Sequence, residues 1–208
     1  RLGLFISLPA TLLLVLLAAP MFWTLFGYGR FSALDAQMSA LSLGMLALGL
    51  PAFIAVKVLA PAFYARQDTT TPVKAGIASM LSNMGISAVI VGAWWWSGRP
   101  GAHAGLALSS ALAGYINAGL LLHWLRRSGI YQPGRGWSRF LLSLALATLV
   151  AAACLLLAQR WGPDWPQLPA WLRLAWLAGL AALAGVAYLG TAFLLGLRPR
   201  HLLERRAS

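Results

Sequence analysis

The chain has 208 residues, of which 60% are hydrophobic and only 10% charged, with a formal net charge of +12. A soluble domain carries about a quarter charged residues to cover its surface, so this composition excludes one. Apolar runs repeatedly reach the roughly 20 residues that cross a bilayer as a helix, and the alternating runs of about 10 residues that a membrane barrel needs are absent.

In chain order the apolar runs predict six helices, and hence an all-α polytopic membrane protein. The first covers residues 2–26, with Pro9 and Pro20 as kinks; such prolines are tolerated where neighbouring helices satisfy the carbonyls they free. Arg1 followed at once by an apolar run is read as a piece of a larger membrane protein. A signal peptide is rejected because the run exceeds an h-region and no soluble domain follows. A glycine turn, FGYGRFSALD, leads to the second helix, 33–60, with Ser32 and Asp35 spaced as a capping box and Pro51 breaking it. Lys57 lies about one turn before its end.

The stretch from Lys57 to Lys74, KVLAPAFYARQDTTTPVK, is the long polar break of the first half and carries charges of both signs. Pro61 and Pro72 bracket it as helix boundaries. Asp68, Thr69, Thr70 and Thr71 supply oxygens that cap the next helix, and Arg66 stands close enough in sequence to pair with Asp68, worth about 0–1 kcal/mol at an exposed site. The third helix, 72–96, carries Ala75, Ser79, Asn83 and Ser87 at intervals of four, hence on one face. The fourth, 104–126, matches it with Ser109, Ala113 and Asn117. Polar groups facing lipid are costly, so these faces are expected to meet each other or to line a cavity.

The turn SGRPGAHAG joins the third and fourth helices, and the basic connection RRSGIYQPGRGWSR leads to the fifth, 137–160, with a ridge of Ser143, Ala147 and Ala151. The sixth, 170–197, offers Ala178, Ala181, Ala182 and Gly185 as its smooth packing face. With the start placed in the cytoplasm, eleven basic residues fall inside: Arg1, Arg66, Lys74, Arg126, Arg127, Arg135, Arg139 and the four arginines of the tail. Four fall outside (Arg30, Arg99, Arg160, Arg173), and Lys57, within a helix, completes the sixteen. That bias orients both termini to the cytoplasm. Seven of the ten tryptophans fall at outer helix ends, as an aromatic belt would place them.

Chemistry is poorly supplied. The basic residues sit at the ends of apolar runs rather than in a stripe, so topology explains them better than nucleic acid does. The single Cys154 lies inside an apolar run, leaving no disulfide or thiolate metal site. Asp35 and Asp164 fall on the outer side and Asp68 and Glu204 on the inner, so no acid–base pair faces one site. His103, His123 and His201 are scattered without metal-ligand spacing. No catalytic residue, metal or cofactor is expected. What remains is intramembrane polarity: Lys57, Asn83 and Asn117 are the candidates for a substrate cavity. For Lys57 the alternative is snorkelling to the headgroups, and for the asparagines, interhelical hydrogen bonding.

FGYGRFSALD, LAPAFYARQDTTTPVK and, more loosely, HAGLALSSALAGYINAGLLLHWLRR resemble the MurJ/MviN lipid II flippases of the multidrug/oligosaccharidyl-lipid/polysaccharide exporter superfamily. The second phrase contains the signature turn, with Pro61, Tyr64, Arg66, Gln67, Asp68, Pro72 and Lys74. The resemblance implies the C-terminal part of a fourteen-helix, two-lobe transporter. Residues 1–130 would be the last four helices of the second lobe, and 131–208 two extra helices and a basic tail. It further implies alternating access in the bacterial inner membrane for lipid II or a related undecaprenyl-pyrophosphate glycan. The partners would be membrane lipids and the missing N-terminal helices, where the family's functional arginines lie. Other readings stay open: a non-transporting membrane subunit, an exporter of another lipid-linked saccharide, or an intramembrane enzyme on polyprenyl-linked glycans, which would need converging acids or histidines.

Overall fold

The computed structural model describes residues 1–97, 102–129, 131 and 136–197. The arginines at 99, 135, 198, 200, 205 and 206, together with His201 and Glu204, lie outside the described residues. Among the described residues eight α-helices follow one another: α1 (Leu2–Leu16), α2 (Ala18–Phe26), α3 (Ala33–Ala47), α4 (Leu50–Tyr64), α5 (Thr70–Ser97), α6 (Ala102–Arg127), α7 (Trp137–Arg160) and α8 (Ala170–Leu194), with a 3₁₀ turn at Trp165–Gln167. Five spans among the described residues are long and apolar enough to cross a membrane, counting α3 and α4 together as Ala33–Tyr64. A sixth is made if α1 and α2, bent by 66°, count as one. The protein is an all-α polytopic membrane protein. Trp96, 95% exposed at the end of α5, and the exposed Trp95, Trp161 and Trp171 stand free as interface anchors do.

By contact the chain forms two compact units. One contains Arg1–Gln37 and Gly134–Ser208, the other Met38–Pro133. In the first, α7 and α8 pack together with α1 and α2 against them. Small residues on α7 (Ser143, Ala147, Ala151) are buried, and Leu144, Tyr188 and Ala192 close around them with Leu4, Phe5 and Leu8 of α1. The face of α8 differs from the sequence expectation. Ala178 and Ala182 are exposed, and the buried stripe is Arg173, Leu180, Ala184, Tyr188 and Ala192. An alanine-rich helix offers several smooth faces. A partner that already presents a small-residue ridge is filled by a knob such as Tyr188, which buries more apolar area, while Leu180 packs against Leu17 and Leu155.

The prolines of the first span show how a membrane fold tolerates a missing donor. Pro9 has no N–H for the carbonyl of Phe5, and the hydroxyl of Tyr188, 2% exposed, donates to that carbonyl at 2.7 Å. Pro20 likewise frees the carbonyl of Leu16, and Nε2 of Gln159 on α7 donates to it at 3.0 Å. The helix continues through Pro9 but breaks at Leu17, within the turn that Pro20 disrupts. Both freed carbonyls are therefore satisfied from other helices.

In the second unit α6 packs against α5 and α4. The faces picked out by four-residue spacing meet: Ser79 Oγ donates to the Ala113 carbonyl at 2.7 Å, and Ser87 and Ser109 share a hydrogen bond of 2.6 Å. Phe53 of α4 lies between Gly49 and Gly114, and a Cβ at either glycine would collide with its ring. At the α3–α4 break the Tyr115 hydroxyl of α6 donates to the Leu48 carbonyl at 2.9 Å.

Candidate functional site

The signature turn is built by two helix ends. Helix α4 runs through Pro61 and stops at Tyr64, one turn beyond the sequence boundary at residue 60. It closes with the amide of Gln67 on the Tyr64 carbonyl (2.9 Å) and the amide of Asp68 on the Phe63 carbonyl (3.1 Å). That pairing is a Schellman stop, whose left-handed position is usually glycine; here Gln67 holds it at φ 60°. A side chain there costs about 1–2 kcal/mol. Gln67→Gly is therefore expected to raise the melting temperature in detergent by about 2–4 °C per kcal/mol recovered, and Gln67→Val to lower it. Unchanged melting in both variants would show that the turn stores no strain.

Helix α5 begins at Thr70, with Pro72 in its first turn where no donor is missed. Asp68 is the cap. Its Oδ1 accepts from the Thr71 amide at 3.0 Å and the Thr70 hydroxyl at 3.0 Å, and its Oδ2 from the Thr71 hydroxyl at 2.6 Å. These bonds, led by the Thr71 hydroxyl, hold the Asp68 carboxyl below its ordinary 3.8. The cap is complete above the usual carboxylate range and is lost as pH falls through the lowered value. Among the described residues no ion pair joins Arg66 to Asp68; both carboxylate oxygens are taken by the threonines. The capping box at the start of α3 forms as spaced. Asp35 Oδ2 accepts from the Ser32 amide at 2.9 Å, and the Asp35 amide donates to Ser32 Oγ at 3.2 Å.

Around this turn lies an open cavity of about 610 Å³, lined by Phe63, Arg66, Asp68, Thr71, Lys74, Trp124, Arg127 and Ser128. Beneath it Phe63, Ala75, Leu121 and Leu125 form a buried cluster that locks the ends of α4, α5 and α6 together. The structure thus brings Arg66, Asp68 and Lys74 of the signature turn to one place. It adds Trp124 and Arg127 from α6 and Ser128 just beyond it, which sequence reasoning did not place there. The double arginine closing α6 was the available signal, but its spatial neighbour comes from tertiary packing alone. Lys57, Asn83 and Asn117 do not line this cavity. Lys57 is exposed on α4, and its carbonyl is the one Pro61 cannot serve. Asn83 Oδ1 accepts from Ser87 Oγ at 3.4 Å within α5, whereas Asn117 Oδ1 is buried without a partner. Among the described residues no cluster of His, Cys, Asp and Glu could hold a metal.

A family model described as lipid II flippase MurJ matches residues 1–173. The chain is similar to the probable lipid II flippase MurJ of Haemophilus influenzae, at 35% identity over 99% of this chain and 39% of that protein. Similar matches are the probable lipid II flippase MurJ of Vibrio cholerae, 35% identical over 97% of this chain and 37% of that protein, and the lipid II flippase MurJ of Burkholderia cenocepacia, 34% identical over 99% and 39%. The chain thus spans less than two-fifths of the length of these relatives.

Proposed function

The chain belongs to the lipid II flippase family described as MurJ, and on that premise we propose that it forms the C-terminal part of a flippase for lipid-linked peptidoglycan precursors. In this reading it works with the further helices that the longer relatives carry, moving lipid II across the bacterial inner membrane by alternating access. Helices α1–α6 are the last four spans of the second lobe, and α7 and α8 the extra pair. The observation that carries the reading is the family match, which runs through the signature turn and nearly all the apolar spans. A chimera in which this chain replaces the matching part of the Burkholderia cenocepacia relative tests it. The chimera is expected to sustain growth of a flippase-depleted strain; failure at matched membrane levels would refute the reading.

The charge bias supports an orientation with both termini cytoplasmic, the signature turn with them. In a background without Cys154, cysteines at Thr70 and Gly134 are expected to react with an impermeant thiol reagent only after the membrane is opened. Cysteines at Ser97 and Pro163 should react from the periplasm. The reverse pattern at either pair would sink the topology.

Within the transporter, Lys57, Asn83 and Asn117 are assigned to the substrate path. Lys57 is a cation set within an apolar span, and two unit charges at 4 Å interact by about 4 kcal/mol at an effective dielectric constant near 20. A lysine facing the path therefore attracts the pyrophosphate of the precursor. Lys57→Ala is expected to impair growth supported by the chimera without loss of insertion, and Lys57→Arg to restore part of it. Full growth with Lys57→Ala would assign the lysine to snorkelling.

A further inference from the structure

Three features of the cavity at the α4–α5 turn point to one class of occupant. Arg66, Lys74 and Arg127 bring three positive charges, against a single carboxylate, Asp68, whose oxygens are already engaged by Thr70 and Thr71. Guanidinium forks match phosphate oxygens two at a time and an ammonium adds a point charge. The volume of about 610 Å³ suits a headgroup far better than a single small ion. Lastly, the surroundings are apolar: Phe63 and Trp124 line the cavity, and Tyr64, Val73 and Ile77 are exposed close by on α4 and α5.

We propose that this cavity binds the phosphate-bearing headgroup of an acidic membrane phospholipid, whose acyl chains lie along the exposed apolar residues of α4 and α5. A soluble phosphate would meet the cations but leave that apolar surface bare. The assignment stands on the cavity alone and does not depend on what the transporter carries.

Native mass spectrometry of the full chain in detergent, titrated with phosphatidylglycerol or phosphatidylcholine, tests it. Phosphatidylglycerol is expected to be retained preferentially. Arg66→Gln, Lys74→Gln and Arg127→Gln should each weaken its retention about fivefold, the equivalent of about 1 kcal/mol per basic residue near an anionic surface. All three side chains are exposed, so the substitutions read binding rather than folding. Arg30→Gln, which removes an exposed charge outside the cavity lining, should change nothing; an equal loss there would reduce the effect to net charge and overturn the site. Displacement of phosphatidylglycerol by equimolar inorganic pyrophosphate would overturn the lipid assignment in favour of a soluble anion. Tighter retention of undecaprenyl pyrophosphate, lost with the same three substitutions, would overturn it in favour of the transported precursor. Unchanged retention in all three variants, with wild-type elution and melting, would leave the cavity without this role.

Discussion

Arg173→Ala is expected to lower the melting temperature in detergent by about 6–12 °C, corresponding to about 3 kcal/mol. Arg173 is 6% exposed. Its Nη1 donates to the carbonyls of Trp23 at 2.8 Å and Gly27 at 2.9 Å, and its Nη2 to that of Pro166 at 3.0 Å. Its guanidinium also lies over the Tyr28 ring, 5.7 Å from the centroid. One side chain thus ties the C-terminal end of α2 and the 3₁₀ turn to the first turn of α8. Truncation removes all three bonds at once, together with the packing of a buried side chain; the Trp23 carbonyl keeps the Gly27 amide at 3.1 Å, whereas the Gly27 and Pro166 carbonyls lose this donor. Arg173→Lys should recover only part, because an ammonium cannot hold three acceptors in the guanidinium's plane. Thermal unfolding followed by size-exclusion chromatography reads both variants; an alanine variant within 1 °C of wild type would show that water replaces the guanidinium.

Gly49→Val is expected to have the second large effect, at about 3 kcal/mol or more, with loss of monodisperse protein. Gly49 sits at the α3–α4 break in an ordinary conformation, φ −78°, so proximity and not backbone freedom demands glycine. A Cβ there would stand 2.8 Å from the Ala111 Cα and 2.9 Å from its Cβ. Backbone cannot swing aside, so α4 would have to part from α6. Gly114→Ala is the milder comparison: the obstacle there is the Phe53 ring, which has other rotamers. Equal yields for Gly49→Val and Gly114→Ala would mean that the break at Gly49 is not held against α6.

Much of this fold was legible because membrane helices are written in long apolar runs. The fifth helix was placed at its observed ends, Trp137 and Arg160. The caps at Ser32–Asp35 and Asp68 were legible because capping is local chemistry with fixed spacing. Less visible was anything set by a neighbour. Of the two kinks expected, the one at Pro20 is present as the break at Leu17 in the turn before it, whereas α1 continues through Pro9. Arg173 was counted as one of four outer cations and proved to be a buried staple. Arg66 was paired with Asp68, but the threonine hydroxyls, nearer in the capping geometry, take both oxygens. The basic cavity was half legible. Its signature turn stood out in the sequence, while Trp124, Arg127 and Ser128 join it only because α6 returns to the same end of its unit.

The bend at Leu17 sets a length as well as a direction. With α1 upright, its 15 residues rise about 22 Å, and the nine of α2, inclined by 66°, add only about 5 Å. A straight helix of the same residues would reach about 36 Å, several ångströms beyond a hydrocarbon layer of about 30 Å. The break before Pro20, whose freed Leu16 carbonyl is held by Gln159 of α7, therefore trims the first span to slightly less than bilayer thickness. Straightening the span, which only a residue with an N–H at position 20 would permit, would push apolar side chains past the acyl region, a mismatch whose cost varies with lipid chain length. The straightened form would thus be favoured by thick bilayers and the bent one by thin.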